Sequence, residues 1–150
     1  MFCLFKAGKF LAAFNWLKFF SAAESLSSNR SAIAMILLLV FFDMLILGKW
    51  LYVANTDALL RFPYTAGQIK ISAPPEKIAD LPGDGRHWTK NIIANVQGTK
   101  IYIASGSFSN VGEKGMDKEI NRACILEINT DGSGMRVYAS GLRNPVGMFP

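Results

Sequence analysis

Trp50-Leu-Tyr-Val-Ala-Asn55 and, 50 residues later, Lys100-Ile-Tyr-Ile-Ala-Ser105 decide the fold. Each run is short, aromatic and β-branched, which suits a pleated, half-buried strand. The flanking sequence repeats with them. Leu59-Leu-Arg-Phe62 aligns with Ile125-Leu-Glu-Ile128, and Lys77-Ile-Ala-Asp-Leu81 with Arg136-Val-Tyr-Ala-Ser140. An apolar run precedes each tyrosine strand: Met44-Leu-Ile-Leu47, then Asn91-Ile-Ile-Ala94. Thr130-Asp-Gly-Ser-Gly134 supplies the positive φ of a hairpin. Pro63 places the end of its strand near an edge. Four short strands per unit, repeating at about 50 residues with no amphipathic helix between, predict an all-β chain of β-propeller blades.

The repeat predicts two blades and a third opening at Asn144-Pro-Val-Gly-Met148. Propellers have about four blades or more. The sequence therefore reads as a fragment or truncated product, with exposed blade edges as an aggregation liability. Ser107 to Arg122 is inserted between the second and third strands of the second unit, and propellers carry function on such loops.

Residues 43–150 form the partial propeller in this reading, and residues 1–42 a separate, hydrophobic and basic N-terminal segment. That segment reads as helical. Ser31 to Gly48 carries one charge, Asp43, over 18 residues, just short of the roughly 20 a membrane span takes. Lys6, Lys9, Lys18 and Arg30 precede it and Lys49 follows, so an inserted helix would keep its N-terminus inside and export the rest. Met44 to Leu47 cannot be both blade strand and membrane helix. The repeat favours the strand, which leaves Ala32 to Phe42 as the uncharged run and a membrane contact through 1–42 as the alternative.

The full chain is 51% hydrophobic with 18% charged residues, so disorder is excluded for most of it. Two cysteines exclude a disulfide-stapled miniprotein, and no CxxC or Cys/His cluster offers a structural zinc site. The net charge is +5, but residues 51–150 hold 11 basic against 9 acidic groups and no basic stripe, so nucleic acid is set aside as a partner.

The chain has one histidine, His87, after a Gly/Pro turn and before an inner strand. By position alone it reads first as a structural histidine, although imidazole suits proton removal near neutral pH. Arg143 and Asn144 fall at the equivalent place one blade later. A guanidinium offers a fixed fork of donors and an amide both donor and acceptor; loop capping is the plainer reading. Glu113, Asp117 and Glu119 of the insert lack EF-hand spacing and read as solvated charge. Cys124 falls in a strand core and Cys3 in the basic leader, and neither reads as a nucleophile.

Leu51-Tyr-Val-Ala-Asn-Thr-Asp57, Arg61-Phe-Pro-Tyr64, His87-Trp-Thr-Lys-Asn91, Ser109-Asn-Val-Gly-Glu113 and above all Ala139-Ser-Gly-Leu-Arg-Asn-Pro-Val-Gly-Met148 resemble the quinoprotein glucose/sorbosone dehydrogenases, closest to the sorbosone branch. The resemblance implies a six-bladed propeller holding pyrroloquinoline quinone (PQQ) at its axis. It implies oxidation of a sugar or sugar aldehyde at C1 by hydride transfer to PQQ. His87 matches the general base, and Arg143 and Asn144 match residues on the quinone oxygens. The calcium site of full-length members would lie beyond Pro150. A cytochrome or quinone would be the downstream electron acceptor, on the periplasmic or exported side of a membrane. The competing expectation is a catalytically inactive propeller remnant or binding module.

Overall fold

Short apolar and β-branched runs, broken by Gly, Pro and Asn-Asp turns, build every regular element among the described residues but one short turn of helix. The computed structural model describes residues 43–149, so the expected helix and membrane contact of 1–42 lie outside the described residues. The strands are β1 (Asp43–Leu47), β2 (Trp50–Ala54), β3 (Ala58–Pro63), β4 (Glu76–Asp80), β5 (Lys90–Ala94), β6 (Lys100–Ser105), β7 (Cys124–Asn129) and β8 (Arg136–Ser140). They form two four-stranded antiparallel sheets, β1-β2-β3-β4 and β5-β6-β7-β8. These are two propeller blades in sequence order. A 3₁₀ turn at Met116–Glu119 lies within the insert.

The ladders put the repeat in register. Leu45 faces Tyr52 and Tyr52 faces Arg61 in the first blade; Ile93 faces Tyr102 and Tyr102 faces Glu127 in the second. A bulge falls between Leu59 and Leu60, and again between Ile125 and Leu126. Arg61 pairs with Glu76 and Glu127 with Arg136. Arg136 is therefore the counterpart of Glu76, not of Lys77, and the alignment of the fourth strands shifts by one residue. With a side-chain period of two, that slip would have turned every residue of the strand to the wrong face.

The core lies between the blades. Tyr52, Ala54 and Leu59 of the first sheet meet Ile92, Ile101, Ile103, Leu126 and Ile128 of the second, with Leu81 and Cys124 closing the cluster. Five of these (Ala54, Leu59, Ile101, Ile103 and Ile128) are 0% exposed, so each larger side chain contributes about 1.5–3 kcal/mol by leaving water. Among the described residues, three polar bonds tie the blades together. Ile92 N donates to Asp43 Oδ2, and Tyr52 Oη and Arg61 Nη1 both donate to Thr130 O in the β7–β8 hairpin. That hairpin must approach closely. Gly132 has φ 91°, and a Cβ there would strike the carbonyl oxygen of Ile78. The far face of the first blade buries Val53, Ala58, Leu60 and Phe62 under Leu51 and Ile71.

Two finer expectations resolve at the strand ends. Tyr64 N donates to Lys49 O, so the neighbouring Pro63 nitrogen faces the β4 side, where pairing has already ended at Arg61 and Glu76. Asn144 to Met148 joins neither sheet: among the described residues, nothing after Ser140 offers it a ladder.

Candidate functional site

One end of the second blade collects the chemistry. Lys90, Ser105, Cys124 and Ser140 form its last rung. The loop before β5, the insert after β6 and the segment after β8 all leave from that rung. His87, the Gly106–Arg122 insert and Arg143–Asn144 therefore meet at the same end, as their places before and after strands required.

Gly106 is where they touch. An added Cβ would strike the His87 side chain, and would come within 2.7 Å of both His87 O and Asn144 Oδ1. Only a hydrogen fits between the two. Ser107 joins the same parts by hydrogen bonds. His87 Nδ1 lies 3.0 Å from Ser107 O and 3.2 Å from Ser107 Oγ. Ser107 N donates to Arg143 O at 2.8 Å.

The proton on His87 follows from these partners. A carbonyl oxygen only accepts, so Nδ1 must carry the hydrogen. The Ser107 hydroxyl spends its own proton on Ser109 O, so towards Nδ1 it too can only accept. In the neutral ring both contacts place the hydrogen on Nδ1 and make Nε2 the nitrogen able to take a proton.

Arg143 is exposed but held. Its Nε donates to Asn110 O and its Nη2 to Asn110 Oδ1, each at 2.9 Å. The fork is thus oriented by the insert, with N–H groups left over for a ligand. Asn144 is half-buried. Its Oδ1 is buried and has no hydrogen-bond partner among the described residues.

The insert is pinned from below. Arg86 N donates to Phe108 O, Phe108 N donates to Glu119 Oε2, and Arg122 pairs with Asp84 and lies over the Phe108 ring. Asn121 and Ala123 carry the chain back into β7 at φ 56° and 51°, a conformation that disfavours alanine. Glu113 is held well below the usual carboxylate range, at about 2, first by the backbone N–H of Val111. Among the described residues no three His, Cys, Asp or Glu side chains converge as metal ligands.

The sequence singles out His87, Arg143 and Asn144, which meet at this end, but not Gly106, Ser107, Asn110 or Lys90, which join them. Lys90 is 0% exposed, and its ammonium donates to Pro82 O and Trp88 O. The Gly106-Ser107 pair directly after β6 is the one signal in the sequence that could mark the joint. A groove of about 420 Å³ lies elsewhere, on the open face of the second sheet between Tyr102, Tyr138, Met148 and Phe149.

No family model matches the sequence, and no curated protein matches it. Among solved structures, the chain is similar to a Trichoderma reesei carbohydrate-active enzyme of family AA12, determined as an iodide structure, with a TM-score of 0.51 at 10% identity. The likeness covers 61% of this chain and 24% of that one, and it is a likeness of fold.

Proposed function

We propose that this end of the second blade belongs to the active site of a quinoprotein oxidoreductase that oxidises a sugar or sugar aldehyde at C1. The observation that carries the proposal is the meeting of His87, Arg143 and Asn144 about Gly106 and Ser107, with the imidazole fixed as Nδ1–H. The motifs that resemble the glucose/sorbosone dehydrogenases, Leu142-Arg-Asn-Pro-Val-Gly147 above all, support the class of reaction. The fold neighbour is described as a carbohydrate-active enzyme, which supports a sugar as the class of substrate.

The donors at the site suit PQQ, whose quinone and carboxylate oxygens need hydrogen-bond donors. Arg143 and the Asn144 amide would hold it, and when bound it supplies the acceptor for a hydride. The chain's own residues do the rest. Ser107 keeps the hydrogen on Nδ1. His87 Nε2 is then the base that takes the proton of the hydroxyl at the carbon being oxidised. Asn110 holds the Arg143 guanidinium, so a positive charge stands ready without reorganisation. The proposal carries with it a cytochrome or quinone as the next electron acceptor, on the exported side of a membrane.

Titrating the full chain with PQQ in the presence of Ca²⁺, while following quinone absorbance, tests this reading. Saturable binding that Arg143→Ala weakens, and bleaching of the quinone on adding an aldose, are the expected results. A chain that binds no PQQ at any concentration is the remnant or binding module instead.

A further inference from the structure

A single buried ammonium closes the loop that carries His87. Lys90 opens β5 with its side chain fully buried. Its Nζ donates to Pro82 O at 2.9 Å and to Trp88 O at 3.0 Å. Those carbonyls stand at the two ends of Pro82 to Trp88, the stretch that holds Asp84, Gly85, Arg86 and His87. Trp88 O belongs to the residue directly after the histidine.

Burying a lysine without a carboxylate partner is costly. Among the described residues no carboxylate lies within ion-pair distance of Lys90; the charged and titratable groups that face it are Arg122, Cys124, Asp57 and Asp84. Burial and the Arg122 charge push its pKa down to about 8. A methionine would fill similar space without this penalty. What the ammonium adds is the ability to draw two carbonyls, six residues apart in the chain, onto one atom.

The rest of the loop is fastened to different elements. Leu81 N donates to Asp57 O of the first blade, and Arg86 N donates to Phe108 O of the insert. The Lys90 ammonium joins the two ends of the loop to each other. The contact of His87 Nδ1 with Ser107 depends on where that loop is held.

We propose that Lys90 is a positioning residue for His87: by clasping Pro82 O and Trp88 O it sets the loop so that Nδ1 meets Ser107 and Nε2 is left free. The role in turnover rests on the reading of His87 as the base. The clasp itself does not, and can be measured without substrate or cofactor.

The chain holds one histidine, so an imidazole nitrogen spectrum of the labelled full chain has a single source. The wild type should show Nδ1–H as the dominant tautomer. Lys90→Met should lose that dominance while the amide signals of β6 and β7 stay in place. Lys90→Gln, which keeps an amide donor, should retain part of it and is read the same way if Lys90→Met does not fold. The wild type gives a reading free of any variant: the Lys90 ammonium protons, held by two carbonyls, should be protected from exchange. A folded Lys90→Met chain with the wild-type tautomer overturns the proposal, and so does an unprotected ammonium. In turnover, Lys90→Met should cost about 10²-fold in kcat, the effect of a misplaced group, with PQQ affinity kept. An altered tautomer with unaltered turnover would sink His87 as the base and leave the clasp standing.

Discussion

The two blades share one backbone plan, yet their equivalent tyrosines have different fates. Tyr52 is 1% exposed, sealed against the second blade, with its hydroxyl on Thr130 O. Tyr102 occupies the same ladder position 50 residues later and lies on the open face of the second sheet. There it meets Tyr138 edge-on, with ring centroids 5.0 Å apart. The ion pair beside each tyrosine is also kept and reversed. Arg61 reaches from β3 to Glu76 on β4, whereas Glu127 receives Arg136 from β8. The slot demands opposite charges, but which strand carries which sign is free until a neighbour decides it. In the first blade the neighbour decides: Arg61 also donates to Thr130 O and lies 4.4 Å over the Trp50 ring, which a carboxylate could not do.

The blades differ most at the end that carries the site. Asn55 to Asp57 turns the first blade in a short loop, with Asn55 N on Ala58 O. The second blade spends Gly106 to Ala123 on the same connection. The largest expected effect follows from this difference. Under the proposed function, His87→Ala should lower kcat for sugar oxidation by roughly 10²–10⁴-fold while leaving PQQ affinity nearly unchanged. Asn55→Ala, at the corresponding end of the first blade, should leave turnover where it was. Equal losses from the two substitutions would show that the activity reports stability alone.

Next in size comes the pair Leu59 and Ile125, which hold the same ladder position. Leu59 is 0% exposed in the core between the blades, whereas Ile125 lines the open groove. Leu59→Ala should cost about 2–5 kcal/mol in urea unfolding, as a cavity in a packed core does. Ile125→Ala should cost distinctly less, because its groove admits solvent. Similar costs would mean that the second face is as well covered as the first.

The third prediction concerns pH, and its sign is opposite to that of a lysine held up by a surface ion pair, such as Lys77 with Asp80. Lys90 titrates near 8 in the folded chain against an ordinary lysine value of 10.5. Between those values the unfolded chain binds the extra proton, so stability should rise with pH through that window. Below about 8 the cost of the buried charge is fully present. The whole effect is on the order of 3 kcal/mol. Between pH 7 and 11 the unfolding free energy of the wild type should gain about this amount in total over that of Lys90→Met. Parallel curves would show that the ammonium is solvated.

Strand positions were legible because alternation and turn residues are local. Every strand from β1 to β8 coincides with a short apolar run in the sequence. The register of the fourth strands is hidden, because two basic residues, Lys77 and Arg136, stand one place out of step. The register preserves the pair across β3–β4 and β7–β8, not the sign of either member. His87, Arg143 and Asn144 stood out because a special residue beside a turn is visible in a string of letters. Ser107, Asn110 and Lys90 did not. Their roles are made by contacts with His87, Arg143 and the Pro82–Trp88 loop that only the folded chain brings together.

The smallest expected effect tests the comparison most directly. Tyr52→Phe removes one hydroxyl and one hydrogen bond, 2.9 Å long, from the first blade to the hairpin of the second. A buried bond of this kind contributes about 1 kcal/mol. The acceptor is not left alone, because Arg61 Nη1 still donates to Thr130 O at 3.1 Å, so the loss should lie at the low end. Removing both donors together should cost more than the sum of the single changes, since Thr130 O would then be orphaned. Tyr102→Phe keeps the ring against Tyr138 and loses only a hydroxyl beside the Glu127 carboxylate, which Arg136 and Lys100 still pair. Its cost should fall within about 0.5 kcal/mol of zero. Urea denaturation of the two variants side by side gives the answer. If Tyr102→Phe costs as much as Tyr52→Phe, the second face is sealed in solution, and the asymmetry between the blades disappears.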